Sequence, residues 1–367
     1  MPKWMPLYLL AASLLQGQAA SPEESYRKAL QLQSAGRTGE AVEQYKAYLA
    51  QAPDRVEAIA NLGSALVELG RLDEAIEQYR LALVKDPQNP GVRLNLALAL
   101  YRTGELPAAS SELAVLHDAF PDNLRVNELL ADCYLRQGEH RKLIDLLTPF
   151  QAQYPGERSI TCMLGMALIR EDRFEEGERM MDLLGRGGNA AESRLLAGMM
   201  KLRGADLAGA REEFLRATAL NPKLAAAWSL YGVTLREIAS GAMDDATADA
   251  FRRALDLDPN DYDANLALGT KVRQEEKYEE AIPRLTRAAQ IRPHEPEPLY
   301  QLAAAHFGQG HAEQARKELE SLIRNWPSFL EARATLTAVY YKLGRKQDGD
   351  RESAILRKLK ADARPKP

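Results

Sequence analysis

The chain has 367 residues, of which 46% are hydrophobic, so it carries enough apolar surface for a continuous core. Its formal net charge of −4 excludes a strongly basic protein, and no global positive field attracts nucleic acid. Aromatic residues make up only 7% of the chain, as is expected where alanine and leucine fill the contacts between helices.

Residues 1–20 have the pattern of a secretory signal peptide. Lys3 gives a positive start, an apolar run extends from Met5 to Leu15, and small residues at Ala19 and Ala20 suit cleavage. The run is short for a transmembrane span, and no later stretch of the mature chain is suitable. The alternatives are a buried N-terminal capping helix and an uncleaved anchor. We expect a bacterial protein exported to the periplasm or the exterior.

The stretch from Val56 to Asn89 contains two amphipathic helical patterns joined by a tight turn. Gly63 and Ala75 have almost no side chain, so the two helices are able to cross closely there. Gly70 follows the first pattern, where a left-handed cap favours a residue without a Cβ atom. Large apolar residues fill the seam at helical spacing: Leu62, Leu66, Tyr79 and Leu83.

These features recur along the chain at a fixed interval. A first series of prolines, each placed to end a helix, is spaced 34 residues apart: Pro53, Pro87, Pro121 and Pro155. A second series contains one step of 37 residues: Pro222, Pro259, Pro293 and Pro327. Turn glycines repeat at 34 residues in two blocks: Gly36, Gly70, Gly104 and Gly138, then Gly310 and Gly344. Chance spacing in a globular all-α domain does not account for this phase.

The pattern resembles the tetratricopeptide repeat, whose period is about 34 residues. The resemblance covers about ten units between Pro22 and Lys360. It implies an all-α, right-handed superhelical solenoid of stacked antiparallel helix pairs, because single units cannot bury their apolar faces alone. The first helix of the array is predicted to begin with Ser21 as its N-cap and Pro22 at its first position.

The predicted array has two parts. Units one to five occupy residues 21–189, and units six to ten occupy residues 190–360 with a C-terminal capping helix. The glycine run from Gly185 to Gly188 lies between them and is a candidate hinge. Residues 361–367 form a basic tail, either a contact for an anionic surface or a solvated terminus.

Sulfur-containing residues leave two questions open. Cys133 and Cys162 lie on neighbouring first helices, so they are either a disulfide or two buried thiols. Six of the nine methionines cluster between Met163 and Met200. Three roles are open for them: copper(I) ligands, an adaptable apolar groove, or filling of irregular packing.

The sequence carries no enzymatic signature. The five histidines form no HExxH motif and have no cysteine at metal-ligand spacing, and no GxSxG motif is present. The carboxylates are spread over helical faces, which is typical of a solvated surface. We therefore predict a non-enzymatic protein without a cofactor or a metal site.

The resemblance also implies which residues face a partner. Asn61 and Asn95 occupy a position where members of the family commonly grip a peptide backbone with the side-chain amide. Ala60 and Leu94 stand where the chaperone-binding carboxylate clamp needs lysine, so that clamp is rejected. Arginines in the groove favour an acidic group or a C-terminal carboxylate. The predicted peptide-binding groove comprises Asn61, Ser64, Leu94, Asn95, Leu98, Tyr101, Arg102, Arg125, Arg136, Met163, Met166 and Arg170.

The sequence therefore predicts an exported scaffold that binds a protein or peptide segment in its concave groove. Two other functions remain open. One is a structural subunit that self-assembles through its end repeats. The other is an accessory factor of an envelope enzyme, a secretion system or a polysaccharide machine.

Overall fold

The computed structural model of the protein describes residues 21–186 and 190–362, and its regular elements within those ranges are all α-helices. The described residues form two compact units, the first ending at Asn95 and the second beginning at Leu96. Residues 187 and 188 of the predicted hinge and the predicted division at residue 189 lie outside the described part, and both stay predictions.

The first unit contains two complete helix pairs. Its helices are α1 (Pro22–Ser34), α2 (Thr38–Leu49), α3 (Val56–Glu68) and α4 (Leu72–Lys85), and α5 (Pro90–Thr103) begins in it and continues into the second unit. Ser21 caps α1 as expected, because its Oγ accepts a hydrogen bond of 3.2 Å from the Glu24 N–H. Gly70 has φ +74°, which confirms the left-handed position predicted for it.

The predicted close crossing within the first unit is also present. A Cβ atom at Gly63 would lie 2.6 Å from the Tyr79 ring, and Ala75 is fully buried. Only glycine therefore fits at position 63 without displacing the aromatic ring that fills the seam between α3 and α4.

The second unit continues the same alternation of helices. After α5 they are α6 (Leu106–Ala119), α7 (Leu124–Gln137), α8 (His140–Gln153), α9 (Arg158–Arg170), α10 (Phe174–Gly185), α11 (Ala191–Arg203), α12 (Leu207–Leu220), α13 (Ala225–Ile238), α14 (Asp245–Leu257), α15 (Tyr262–Gln274), α16 (Tyr278–Ile291), α17 (Pro296–Gly308), α18 (Ala312–Asn325), α19 (Leu330–Lys342) and α20 (Lys346–Asp362).

Packing in the second unit follows the order of the chain. Each helix from α6 onward packs on the next, and the odd-numbered helices from α7 to α19 also lie side by side. This is the arrangement of a helical solenoid, in which every repeat buries its apolar stripe on its neighbours. The all-α solenoid predicted from the sequence is confirmed. We call the surface formed by the odd-numbered helices within each unit its odd-helix face.

One set of contacts in the second unit departs from nearest-neighbour packing. Helix α6 touches α16, although nine helices separate them in the chain. Asn260 Nδ2 donates to the Tyr101 carbonyl at 2.8 Å, and Arg292 Nε donates to the Arg136 carbonyl at 2.8 Å. We call this contact the seam. It joins the ends of α5 and α7 to the α14–α15 loop and to the end of α16.

None of the helices within residues 21–186 and 190–362 is both long and apolar enough to cross a bilayer.

Candidate functional site

Two of the predicted binding residues share a surface pocket on the odd-helix face of the first unit. Asn61 on α3 and Asn95 on α5 line a pocket of about 410 Å³. Tyr26 on α1 forms one wall, and Val56, Ala60 and Val92 supply apolar surface. We call this site the amide pocket. It follows directly from the repeat, because equivalent positions of neighbouring first helices lie side by side.

The side-chain amides of Asn61 and Asn95 differ in their hydrogen bonding. Asn61 Nδ2 donates a hydrogen bond of 3.0 Å to the Tyr26 hydroxyl, which fixes the orientation of the amide. Asn95 is exposed, and its side chain has no hydrogen-bond partner within the described ranges. One amide is therefore held in place, while the other has its donor and acceptor available to a peptide group.

Five other predicted residues do not line the amide pocket. Ser64 is half-buried and lies outside the lining of the amide pocket. Leu94 and Leu98 are half-buried, whereas Arg102 and Arg125 are exposed to solvent.

Tyr101 is engaged within the second unit. Its hydroxyl donates a hydrogen bond to Asp132, and the Arg136 guanidinium lies 5.4 Å from the centre of its ring. Burial, reinforced by the Asp132 carboxylate, raises the pKa of the Tyr101 hydroxyl well above its usual value. Its polar end therefore already has a partner within the protein.

Four predicted residues meet in a cavity of about 490 Å³ inside the second unit. They are Arg136 on α7 and Met163, Met166 and Arg170 on α9. We call this site the arginine cavity. Its floor is the odd-helix face of α7, α9, α11 and α13, and its far wall comes from α15, the loop before it and Arg292 at the end of α16.

Arg136 is balanced by two carboxylates. Its Nε donates to Asp132 at 2.7 Å, and its Nη1 pairs with Asp258 across the seam. Burial lowers the pKa of Arg136, but the Asp132 and Asp258 carboxylates raise it further, so the net shift is upward. The guanidinium therefore stays charged and ties the α14–α15 loop to α7.

The two cysteines are separate buried thiols. Burial raises the pKa of both thiols to about 12, so neither is a ready nucleophile or metal ligand. The methionines divide into two groups. Met180 and Met199 are buried in the core of this region, whereas Met163 and Met166 also face the arginine cavity.

The far wall of the arginine cavity was not predicted. Its residues come from the α14–α15 loop, from α15 and from the end of α16: Asp258, Asp261, Tyr262, Asp263 and Arg292. The hydrogen bond from Arg292 to Arg136 spans 156 positions in the sequence. No motif or spacing within a single repeat predicts such a long-range contact.

No cluster of three or more histidine, cysteine, aspartate or glutamate side chains suited to a metal ion occurs in the described ranges. The histidines are dispersed. His140 borders the arginine cavity, and burial together with Arg170 and Arg292 lowers its pKa to about 4, so it is neutral at physiological pH.

Comparison with known families agrees with this geometry. Models described as tetratricopeptide repeat or TPR repeat match residues 32–83, 63–104, 94–142, 195–262, 244–296 and 272–327. Together they cover more than half of the chain. No match was found among curated proteins.

Solved structures show the same fold at low sequence identity. A tetratricopeptide repeat protein from Parabacteroides merdae ATCC 43184 is 17% identical, with a TM-score of 0.54 over 65% of this chain and 94% of its own. The Cut9–Hcn1 hetero-tetramer of the APC/C contains a chain that is 16% identical. Its TM-score is 0.53, and the match covers 92% of this chain and 74% of that one. The repeats and the fold place the chain among the tetratricopeptide repeat proteins.

Proposed function

We propose that the protein is a non-enzymatic, exported scaffold that binds an extended or helical segment of a partner protein. Tetratricopeptide repeats are typical of protein–protein interaction, because stacked repeats present long continuous surfaces. The amide pocket is the observation that carries the proposal. It places the fixed amide of Asn61 and the unpartnered amide of Asn95 on one surface beside apolar side chains.

The chemistry of the amide pocket suits a peptide backbone. An amide side chain offers a donor and an acceptor together, which match the carbonyl and the N–H of a peptide group. Val56, Ala60 and Val92 provide apolar surface for a neighbouring side chain of the bound segment. Each backbone hydrogen bond contributes about 0.5–1.5 kcal/mol, so affinity would accumulate from several modest contacts.

Site-specific photocrosslinking tests where the partner binds. A photoreactive residue at Ala60 lies in the amide pocket, and one at the exposed Glu77 on α4 serves as the matched control. We expect the probe at position 60 to capture one defined partner segment in cells, and the probe at position 77 to capture none. Capture at position 77 alone would place the interaction on the opposite face.

The captured segment then allows a quantitative test. A synthetic peptide of that sequence should bind the Asn61→Ala/Asn95→Ala double variant about tenfold more weakly than the unaltered protein. This follows from the loss of two hydrogen bonds of about 0.5–1.5 kcal/mol each. Unchanged affinity would show that the amides only solvate the pocket.

Export is the second part of the proposal. The predicted signal peptide lies outside the described residues, and the first described helix is compatible with cleavage near Ala20. Removal of residues 1–20 would leave Ser21 in place, and its side chain caps α1. Mass spectrometry of the native protein should find a mature N-terminus at Ala20 or Ser21. An intact residue 1–20 segment on a cytoplasmic protein would contradict export.

A further inference from the structure

The arginine cavity has one apolar side and one charged side. Met163 and Met166 project from α9, and leucines from the neighbouring first helices complete the apolar surface: Leu135, Leu195, Leu224 and Leu230. The charged side contains Arg170, Arg292, Asp261 and Asp263. The volume of about 490 Å³ falls within the range of about 300–1,000 Å³ that is usual for small-molecule sites.

The two arginines on the charged side have donors to spare. Arg292 uses Nε for the Arg136 carbonyl, and its guanidinium carbon lies 3.9 Å from the centre of the Tyr262 ring. Within the described ranges, neither its terminal nitrogens nor the Arg170 guanidinium has a hydrogen-bond partner. Burial lowers the pKa of Arg170, the Asp263 carboxylate raises it and Arg292 lowers it, with a net downward shift. The positive charge of Arg170 is therefore only partly compensated.

The carboxyl groups of Asp261 and Asp263 also have no ion-pair partner in the described residues. Asp261 accepts hydrogen bonds from Ser229 Oγ at 2.9 Å and from the Ala264 N–H at 2.7 Å. Despite these bonds, burial and the nearby Asp263 raise the pKa of Asp261 to about 7. The Asp263 side chain has no hydrogen-bond partner in the described part of the chain. In the described part of the chain, the negative end of the cavity thus forms no direct ion pair.

These opposite charges share a cavity without touching. In the described residues, no ion pair joins either arginine to Asp261 or Asp263, although the other charges of the lining do pair. Arg158 bonds Glu192 at 2.9 Å, and Arg136 bonds both Asp132 and Asp258. The unpaired groups are two guanidinium groups and two carboxyl groups. A ligand with only one kind of charge would pair with one kind of group and leave the other kind unpaired.

We propose that the arginine cavity binds a short free peptide with apolar side chains. Its terminal carboxylate lies against Arg170 and Arg292, where guanidinium groups form charge-assisted hydrogen bonds. Its terminal ammonium lies against Asp261 and Asp263, and its side chains pack on Met163 and Met166. Methionine side chains repack readily, so the apolar wall accommodates more than one sequence. This site is independent of the amide pocket.

Binding of the dipeptide Leu-Leu to the full chain tests the proposal by isothermal titration calorimetry. N-acetyl-Leu-Leu removes the ammonium, Leu-Leu-amide removes the carboxylate, and free leucine tests a single amino acid as the source of the same chemistry. We expect saturable binding of Leu-Leu and at least tenfold weaker binding of each blocked form and of leucine. Absence of saturable binding up to about 10 mM, or equal binding of blocked and unblocked forms, would overturn the proposal. Binding of leucine as tight as that of Leu-Leu would overturn the choice of a peptide.

Two variants test which residues of the cavity contact the carboxylate end of the peptide and which contact its ammonium end. Arg170→Gln should abolish the difference between Leu-Leu and its amide, and Asp263→Asn should abolish the difference between Leu-Leu and its acetylated form. Arg211→Gln, at an exposed position on α12, is the matched control and should change neither. Discrimination retained in full by both cavity variants would contradict the assigned orientation.

Two further measurements keep the result interpretable. Circular dichroism verifies that each variant is folded, and the blocked peptides test the proposal on the unaltered protein if a variant is not. The Asn61→Ala/Asn95→Ala double variant should bind Leu-Leu with unchanged affinity. Loss of Leu-Leu binding in that variant would contradict the independence of the two sites. Because the two sites are tested with different ligands and variants, a failure of Leu-Leu binding is distinguishable from a failure of partner binding at the amide pocket.

Discussion

The amide pocket and the arginine cavity are both lined by first helices of repeats, but they are built at different ranges along the chain. Tyr26, Asn61 and Asn95 come from three successive repeats and form an open surface. The arginine cavity is covered by the α14–α15 loop, α15 and the end of α16, which contact the ends of α5 and α7 at the seam. One face of a repeat can therefore be an open surface or one wall of a partly covered cavity. The difference depends on whether later repeats fold back over it.

The contrast also extends to polarity. The amide pocket is dominated by neutral amides and small apolar side chains, which suit a backbone. The arginine cavity contains charges of both signs in a partly buried setting, where electrostatic interactions are less screened than at an open surface. Substitutions at the seam, in the arginine cavity and in the amide pocket test whether the seam and its charges distinguish the second site from the first.

The largest effect is expected from breaking the charge cluster at the seam. Arg136→Leu removes the partner of Asp132 and Asp258, so two partly buried carboxylates lose their counter-ion. Fully buried pairs cost 3–5 kcal/mol when one partner is removed; we expect about 3 kcal/mol here, because Arg136 keeps 22% exposure. Denaturant unfolding gives the total loss, and hydrogen exchange should show it at α7 and α15.

Arg141→Leu is the control for that experiment. Arg141 is 87% exposed and pairs with Glu171 at 2.9 Å. Exposed ion pairs contribute about 0–1 kcal/mol, so the free energy of unfolding should change little. Similar losses for the two variants would show that the seam contributes no special stability.

The second effect concerns close packing at the seam. Gly104 has φ +83°, and a Cβ atom there would lie 2.8 Å from Arg287 Cδ and 2.9 Å from Asn260 Oδ1. Gly70 has φ +74° with open space around it, so Gly70→Ala incurs only the left-handed strain of about 1–2 kcal/mol. Gly104→Ala should cost about 1–3 kcal/mol more through overpacking. Equal melting temperatures for the two variants would argue against a tight seam.

The third effect is a pH dependence confined to the arginine cavity. The pKa of Asp261 is about 7 in the folded chain, above its ordinary value near 4, so the folded state binds the proton more tightly than the unfolded state. The contribution of Asp261 to stability is therefore lost as pH rises from about 4 to about 7. The full shift corresponds to about 4 kcal/mol, but Asp261 is only half-buried and solvent screens part of it, so Asp261→Asn should remove about 1–2 kcal/mol of this decline.

Asparagine preserves the capping role in that variant, because its Oδ1 still accepts from the Ala264 N–H. Asp256→Asn, at an exposed position on α14, should leave the pH profile as it is in the unaltered protein. Unfolding measured at several pH values between 4 and 8 decides the matter. An unchanged slope in Asp261→Asn would refute the raised pKa.

The smallest effect is expected at the amide pocket. Asn61→Ala loses the hydrogen bond to Tyr26, so stability should fall by about 0.5–1.5 kcal/mol. Tyr26→Phe loses the same bond and should behave similarly. Asn95→Ala, at an exposed position without a partner in the described residues, should change stability by less than about 0.5 kcal/mol. A larger loss at Asn95 would mean that its amide supports the fold.

Repeat positions anticipated the lining of the two candidate sites to different extents. Repeat positions identified Asn61 and Asn95, and the structure places both in one pocket, although peptide binding there stays a prediction. The same positions identified Met163, Met166 and Arg170 but gave no indication of Asp261, Asp263 or Arg292. These three residues lie at α15 and at the end of α16, and the position of those helices relative to α9 depends on every interface between them.

The sequence by itself determined the helix pairs, their caps and their close crossings. Ser21, Gly63 and Gly70 act within a few residues or one helix pair, where backbone geometry and side-chain size decide the outcome. Only the tertiary structure decided the seam and the arginine cavity. The bond from Asn260 to Tyr101 spans 159 positions. Small rotations between successive repeats add up over that distance, so no local pattern specifies which residues meet.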